Sequence, residues 1–291
     1  MNCTQLMIAD QLRNLGVKEG DHLNVKVSLK SIGLVKGGAR TVIDALLQVV
    51  GTTGTIFTDA FISAYPLPLN AVDRTKVAKA DSKSYAGALA NEMIKHPMAF
   101  RSPHPIQKFV GIGFLAQELT SGHTIESPAY ELFGKLADRG GRNLKIGDNV
   151  KVPGVGTTHV AIERLGVILN HPPRGVMYET PDGKVELFEV FWSGGCSHAW
   201  LKYYPAYEEI GAILGSGAIG MAPAMLTDMA CTLDWELQKI KEDPKSLLCG
   251  RETCKTCALY WSFSHKNRIR WMYHRLISLI SGKHSCGNVP K

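Results

Sequence analysis

Val27-Ser-Leu-Lys-Ser-Ile-Gly33, followed by Gly37-Gly38-Ala39 and then Val42-Ile-Asp-Ala-Leu46, is the stretch on which the reading of this chain turns. Its opening residues finish a strand, because Leu23, Val25 and Val27 alternate with Asn24, Lys26 and Ser28 at the two-residue period of a ladder with one apolar face. Its closing residues belong to a helix predicted over 41–50, with Val42, Ile43, Leu46 and Leu47 inward and Gly51 as its stop. The loop between them gathers hydroxyls, glycines and two lysines in front of a helix start, where backbone amides have no partner of their own.

Working outward, Thr4 can cap an earlier amphipathic helix carrying Leu6, Ile8, Ala9, Leu12 and Leu15, ended by Gly16. Gly54-Thr-Ile-Phe-Thr58 reads as a further short strand. The order helix, strand, helix, strand is the alternation that builds a layered α/β sheet. Residues 62–83 lack periodicity and are read as a surface excursion that can cover a site. Helical patterns return over 84–95 and 130–137, around a proline-rich turn at Arg101-Ser-Pro-His-Pro105 and a strand at 109–113. Residues 145–156 read as a strand with a tight loop, 159–165 as one or two helical turns, and 184–191 as a strand. Two more helices are predicted over 207–214 and 222–237. The fold class is therefore a mixed α/β sheet with flanking helices.

The chain has 291 residues, enough for one large domain or two small ones. Hydrophobic residues make up 45% and charged residues 20%, which excludes disorder as its main character. No run of 18 apolar residues is present, and the N-terminus lacks the basic and apolar regions of a leader, so a cytoplasmic location without a transmembrane segment is expected. A formal net charge of +7 favours acidic partners. The composition shifts after Asp243-Pro244, dividing the chain into a main domain over 1–243 and a cysteine-rich, basic, helical C-terminal extension over 244–291.

The Ser28 to Ala39 region, Arg101-Ser-Pro-His-Pro105, and Ser127-Pro128 leading through Leu136 and Gly141 to Lys145-Ile-Gly147 occur in one order and spacing. Together they resemble the aminoglycoside 3-N-acetyltransferase family over roughly residues 8–235. The resemblance implies that family's own mixed α/β fold and transfer of an acetyl group from acetyl-CoA, as cosubstrate, to an amine. In that light Ser28, Lys30, Ser31, Lys36, Gly37, Gly38 and Ala39 are the candidate CoA-binding segment. Hydroxyls, amides and a helix start can donate to a phosphate or a pantetheine carbonyl. A loop whose glycines serve only positive φ explains the same residues. The chain has Lys26-Val27-Ser28 where the family usually has His-Ser-Ser. His104 matches a family His-Pro and joins the CoA-binding set, although a histidine in a rigid turn also serves as a structural hydrogen-bond partner.

Acetyl transfer to an amine needs a base. His159, in Thr157-Thr158-His159 with Glu163, resembles the family segment that pairs a histidine with a glutamate on one short helix. At i,i+4 the two share a face, so Glu163 can orient the ring or hold a substrate ammonium. The family spacing is one residue shorter, and a surface helical pair is the plain alternative. Gly195-Cys196-Ser197 also recurs in the family, with Cys196 read as a turn cysteine and Trp192, Tyr203, Tyr204 and Tyr207 as pocket or core aromatics. The implied activity is an N-acetyltransferase working by direct, general-base-assisted transfer. Two rivals stand beside it: a biosynthetic acyltransferase acting on an amine of an anionic or carrier-bound substrate, and a non-catalytic binding protein that kept the fold. A homodimer is one assembly open to the chain.

The tail carries Cys249-x4-Cys254-x2-Cys257 with Cys286 further on, four of the seven cysteines. Four thiolates suit a structural zinc, the spacing also resembles plant-type iron–sulfur ligation, and unliganded thiols remain the plain reading. His265, His274 and His284 offer a mixed site. Lys266, Arg268, Arg270 and Arg275 alternate with Trp261, Phe263, Trp271 and Tyr273 along a basic helix read over 258–280. One such helix is weak grounds for a nucleic-acid partner, and a solvated charged face explains it.

Overall fold

A computed structural model of the chain describes residues 2–148, 154–167, 170–190 and 195–261, together with residues 272, 273, 276, 277 and 280. The first elements are β1 (Asn2–Cys3), α1 (Gln5–Asn14), β2 (His22–Val27), α2 (Leu29–Ile32), β3 (Leu34–Val35), α3 (Gly38–Val50) and β4 (Thr55–Asp59). Next come β5 (Tyr65–Pro66), α4 (Ala71–Arg74), β6 (Val77–Ala78), α5 (Ala88–Ile94), β7 (Ala99–Arg101) and β8 (Phe109–Gly113). Then follow α6 (Ala116–Ser121), α7 (Glu131–Ala137), β9 (Arg142–Ile146), α8 (Thr157–Arg164), β10 (Arg174–Glu179) and β11 (Val185–Val190). Last are α9 (Ser197–Trp200), α10 (Tyr204–Glu209), β12 (Ile213–Ile219), β13 (Ala222–Asp228) and α11 (Met229–Glu242).

Seven strands form the main sheet in the order β12-β13-β9-β2-β4-β8-β7. β9, β2 and β4 are parallel at its centre, and the strands outside them pair antiparallel, so the sheet is mixed as expected. The period-two alternation sorts each central strand between two faces. Leu23, Val25, Ile56, Leu144 and Ile146 join an aliphatic core with α1, α3 and α5. Phe57 and Phe109 point the other way, into an aromatic-rich core under α7, α8 and α11. That second core continues past Asp243, where Leu247, Cys257 and Trp261 are buried in it. A smaller sheet places β11 along one edge of β10, with β5 and β6 on the other edge.

Several expectations need correction. Residues 222–237 are a strand followed by a helix. Ala222 and Leu226, four residues apart, satisfy the helical period and the strand period alike, and pairing with both β12 and β9 decides for the strand. The turn before it needs Gly220, whose φ is +58° and where a Cβ would lie 2.4 Å from the Ile32 carbonyl oxygen. Asp228 then caps α11, its carboxylate accepting from the Cys231 N–H. The helix predicted over 207–214 ends early, with Gly211 at φ +72° after it and β12 beginning at Ile213. The 62–83 excursion contributes β5, α4 and β6, and its Ile62, Ala64 and Ala78 pack with Val176 beneath the small sheet. Leu6 is exposed, unlike the other apolar residues of α1. Most of the basic tail helix lies outside the described residues, which include one wide helical turn, Thr256–Tyr260, followed by buried Trp261, and helical positions at 272, 273, 276, 277 and 280.

Candidate active site

The three parallel strands set Asp59, Lys26 and Lys145 side by side at their carboxyl ends. Lys26 and Lys145 are register partners, and Asp59 follows the Asn24–Phe57 pair on β4. Ligand sites in open α/β sheets form at this end of the strands. Lys26 Nζ lies 3.6 Å from Asp59 Oδ2 and 5.7 Å from the centre of the Phe133 ring. Deeper on the same face, Asn24 Nδ2 donates to Asn143 Oδ1 at 2.7 Å. Burial lowers Lys145 to about 8, and its ammonium donates to the Tyr204 hydroxyl at 3.0 Å. This row is charged and polar because the alternate residues of the same strands supply the aliphatic core.

Above the row, α8 begins after Gly156, at φ +95°, where a Cβ would crowd the Phe133 ring at 3.1 Å and Lys26 Nζ at 3.4 Å. His159 lies in the first turn of α8. Its imidazole is stacked on Tyr130, with centroids 3.9 Å apart and planes 4° from parallel, and meets Trp200 edge-on at 4.6 Å. Glu163, one turn along, accepts from the Tyr130 N–H at 3.0 Å and so occupies the start of α7. The predicted His159–Glu163 pair thus converges on Tyr130, one residue through its ring and the other through its backbone. Burial and the nearby Asp59 and Glu163 carboxylates push the Tyr130 phenol well above its ordinary value, keeping it neutral. Tyr130, Trp200 and Asp59 were not singled out by the sequence. The family-like Gly195-Cys196-Ser197, just before Trp200, was the available signal.

The Ser28 to Ala39 segment leaves the sheet two residues after Lys26. The Ser28 N–H donates to the Ile146 carbonyl at 2.8 Å, and Ser31 Oγ donates to Ser28 Oγ at 2.9 Å. Lys30 and Lys36 are exposed. Gly37 and Gly38 take φ values of +89° and +65°, and α3 starts without a side-chain cap. Thr41 Oγ1 donates to the Lys36 carbonyl at 2.6 Å, fixing the turn. A Cβ on Gly37 would meet Thr41 Oγ1 at 2.4 Å, whereas the space beyond Gly38 is open. The first amides of a helix are thereby presented beside two lysines, an arrangement suited to phosphate.

His104 has a different setting. It is buried, its Nδ1 accepts from the N–H groups of Ile106 and Gln107 at 3.2 and 3.0 Å, and its ring stacks on His123 at 5.0 Å. Burial, then the neighbouring His123 and Lys108, hold it down at about 3, so it stays neutral and braces the proline-rich turn. Tyr203, Tyr204 and Tyr207 are buried in the second core. Trp192 lies outside the described residues.

The tail cysteines converge. Cys249, Cys254 and Cys257 meet Cys196, and the four sulfurs all lie within 4.8 Å of one another. Cys286, the expected fourth member, lies outside the described residues, as do His265, His274 and His284.

The family profile of aminoglycoside 3-N-acetyltransferases matches residues 25–239. This chain belongs to that family. It is an N-acetyltransferase. It is 37% identical over 203 residues to aminoglycoside N(3)-acetyltransferase III of a Salmonella species, covering 62% of this chain and 68% of that one. It is 33% identical over 255 residues to aminoglycoside N(3)-acetyltransferase III of Serratia marcescens, covering 78% and 92%. Among solved structures, aminoglycoside acetyltransferase AAC(3)-IIb is 27% identical, with a TM-score of 0.69 over 84% of this chain and 98% of that one. The binary structure of AAC-IIIb with CoASH shares the fold at 22% identity, with a TM-score of 0.72 over 83% and 97%. No helix among the described residues is long and apolar enough to cross a membrane. At the carboxyl ends of the parallel strands lies a row of charged side chains, with His159 and its aromatic neighbours on α8 above it.

Proposed function

We propose that this N-acetyltransferase acetylates an amine of an aminoglycoside directly from acetyl-CoA, in a ternary complex, with His159 as general base. The observation that carries the reading is the stacking of His159 on Tyr130 at the carboxyl edge of the parallel strands, next to where the Ser28 to Ala39 segment begins. CoA lies along that segment, its phosphates on the α3 amides with Lys30 and Lys36. His159 takes a proton from the acceptor ammonium, and the freed amine attacks the thioester carbonyl carbon. The tetrahedral adduct expels the CoA thiolate, which receives the proton from His159, and the second amine proton, lost as the amide forms, passes to solvent. A ring face under the imidazole favours its protonated form by cation–π attraction, which helps at the moment the base is charged. Glu163 positions the base by fixing Tyr130, and with Asp59 it supplies the negative charge that a polycationic acceptor needs.

The acceptor assignment draws on the names of the relatives and on these two carboxylates. It holds against the chain's net +7 because the field at the site is set locally. No step runs through the cysteine cluster. The test is acetyl transfer from acetyl-CoA to aminoglycosides, compared with amines on anionic sugars and carrier proteins. Turnover with aminoglycosides is expected to exceed the others, and exclusive turnover of anionic acceptors would overturn the acceptor assignment.

A further inference from the structure

We infer that Cys196, Cys249, Cys254 and Cys257 form a four-thiolate zinc site that staples the C-terminal tail to the turn carrying Trp200, and thereby positions the catalytic His159. Cys196 and Cys254 place their sulfurs 3.5 Å apart, Cys249 and Cys257 place theirs 3.6 Å apart, and all four lie within 4.8 Å. A disulfide requires about 2.05 Å, so these are not bridges. Tetrahedral zinc with Zn–S bonds of about 2.3 Å sets its sulfurs about 3.8 Å apart, a spacing that falls between the two pairs at 3.5 and 3.6 Å and the 4.8 Å limit on the whole group. A cluster of two or more irons needs its thiolates spread around a larger body, so the same compactness argues for a single ion.

The connectivity fits a staple. Cys254 lies just before one helical turn and Cys257 within it, and Cys249 donates its N–H to Cys257 Sγ at 3.3 Å. Such backbone donation to a ligand sulfur is the outer-layer support that orients thiolates in metal sites. Cys196 comes from a distant part of the chain, immediately before α9. Gly195 beside it is closely packed, since a Cβ there would approach the Trp200 ring at 2.9 Å and Trp261 at 3.4 Å. Trp200, 4% exposed, then meets His159 edge-on. An ion bound to Cys196 on one side and to the tail on the other therefore fixes the wall against which the base stands. The positioning role rests on His159 as base, whereas the metal site does not.

The test uses the full chain expressed without added metal. Elemental analysis should find about one zinc per chain, and X-ray absorption should show four sulfurs at about 2.3 Å. Cys196→Ser should lose zinc or bind it far more weakly, and Cys286→Ser should keep it. If Cys196→Ser does not fold, the absorption spectrum of the parent and the Cys286 variant still decide. Folded parent protein lacking zinc, or zinc lost on Cys286→Ser and kept on Cys196→Ser, overturns the site. Removal of zinc by chelation should lower kcat about tenfold or more while CoA affinity is kept, because α3 packs in the aliphatic core and the four cysteines belong to the other one. Zinc found as expected, with kcat unchanged after its removal, would overturn the positioning role alone.

Discussion

The two faces of the seven-stranded sheet are built from alternate residues of the same strands, yet they do opposite work. On one face Leu23, Val25, Leu144 and Ile146 close an aliphatic core with α1 and α3. On the other, their immediate neighbours Asn24, Lys26, Asn143 and Lys145 carry amides and ammonium groups beneath a layer of aromatic rings. The first face stabilises by removing apolar area from water, and any residue of suitable shape serves there. The second holds buried polar groups that cost free energy unless each is paired. The polar face is therefore where function is to be sought, and the aliphatic face is what makes it affordable.

That contrast breaks most visibly at the base. His159→Ala should lower kcat by about 10²-fold to 10⁴-fold while CoA affinity and melting temperature change little. Steady-state kinetics with calorimetry would check this, and unchanged turnover would remove His159 from its role. The mirror experiment is Leu46→Ala on the aliphatic face, which should cost about 2–5 kcal/mol of stability by denaturant titration, with kcat per folded molecule preserved. A loss of kcat at full folding would show that the faces are coupled.

Glu236 sharpens the comparison, because it is a carboxyl sunk in the second face. It is fully buried and accepts from Thr158 Oγ1 at 2.5 Å and from the Tyr207 hydroxyl. Burial raises it from 4.5 to about 7. Below the lower value both folded and unfolded chains hold the proton. Between the two values the unfolded chain releases it and the folded chain keeps it, so stability declines as pH rises through that window and levels off above about 7. Glu236→Gln keeps an acceptor for both hydroxyls without the charge. It should stabilise the chain by roughly 3 kcal/mol at pH 8 and by little at pH 4, read from melting curves at the two pH values. An equal effect at both would mean that the carboxylate is compensated by a partner.

The smallest effect belongs to Gly38→Ala. The open space there admits a methyl, but φ at +65° costs roughly 1 kcal/mol for any residue with a Cβ. Stability should drop by about that amount, with a matching weakening of CoA binding if the loop relaxes. Gly37→Ala, which clashes with Thr41, should do more.

How much of this was legible depended on the distance between interacting residues. The strand at β2, the helix at α3 and the loop between them were readable because alternation, helical period and glycine stops agree locally. The β12–β13 hairpin was misread because Ala222-Pro-Ala-Met-Leu226 suits either period, and only pairing with β9 chooses. His159 and Glu163 were singled out by resemblance. Their common anchor Tyr130 was hidden because the two helices meet only in three dimensions. Cys196 escaped for the same reason: its sulfur partners lie in the tail, and spacing along the chain grouped those with Cys286 instead.

Binding of CoA on the Ser28 to Ala39 segment, beside a separate base, is tested most directly by calorimetric titration of CoA into the parent, His159→Ala and Lys36→Glu proteins. The account predicts saturable binding to one site in the parent, an unchanged Kd in His159→Ala, and a several-fold weaker Kd in Lys36→Glu that narrows with added salt as exposed charges are screened. Absence of binding to the parent, or a Kd indifferent to Lys36→Glu and abolished by His159→Ala, would contradict it.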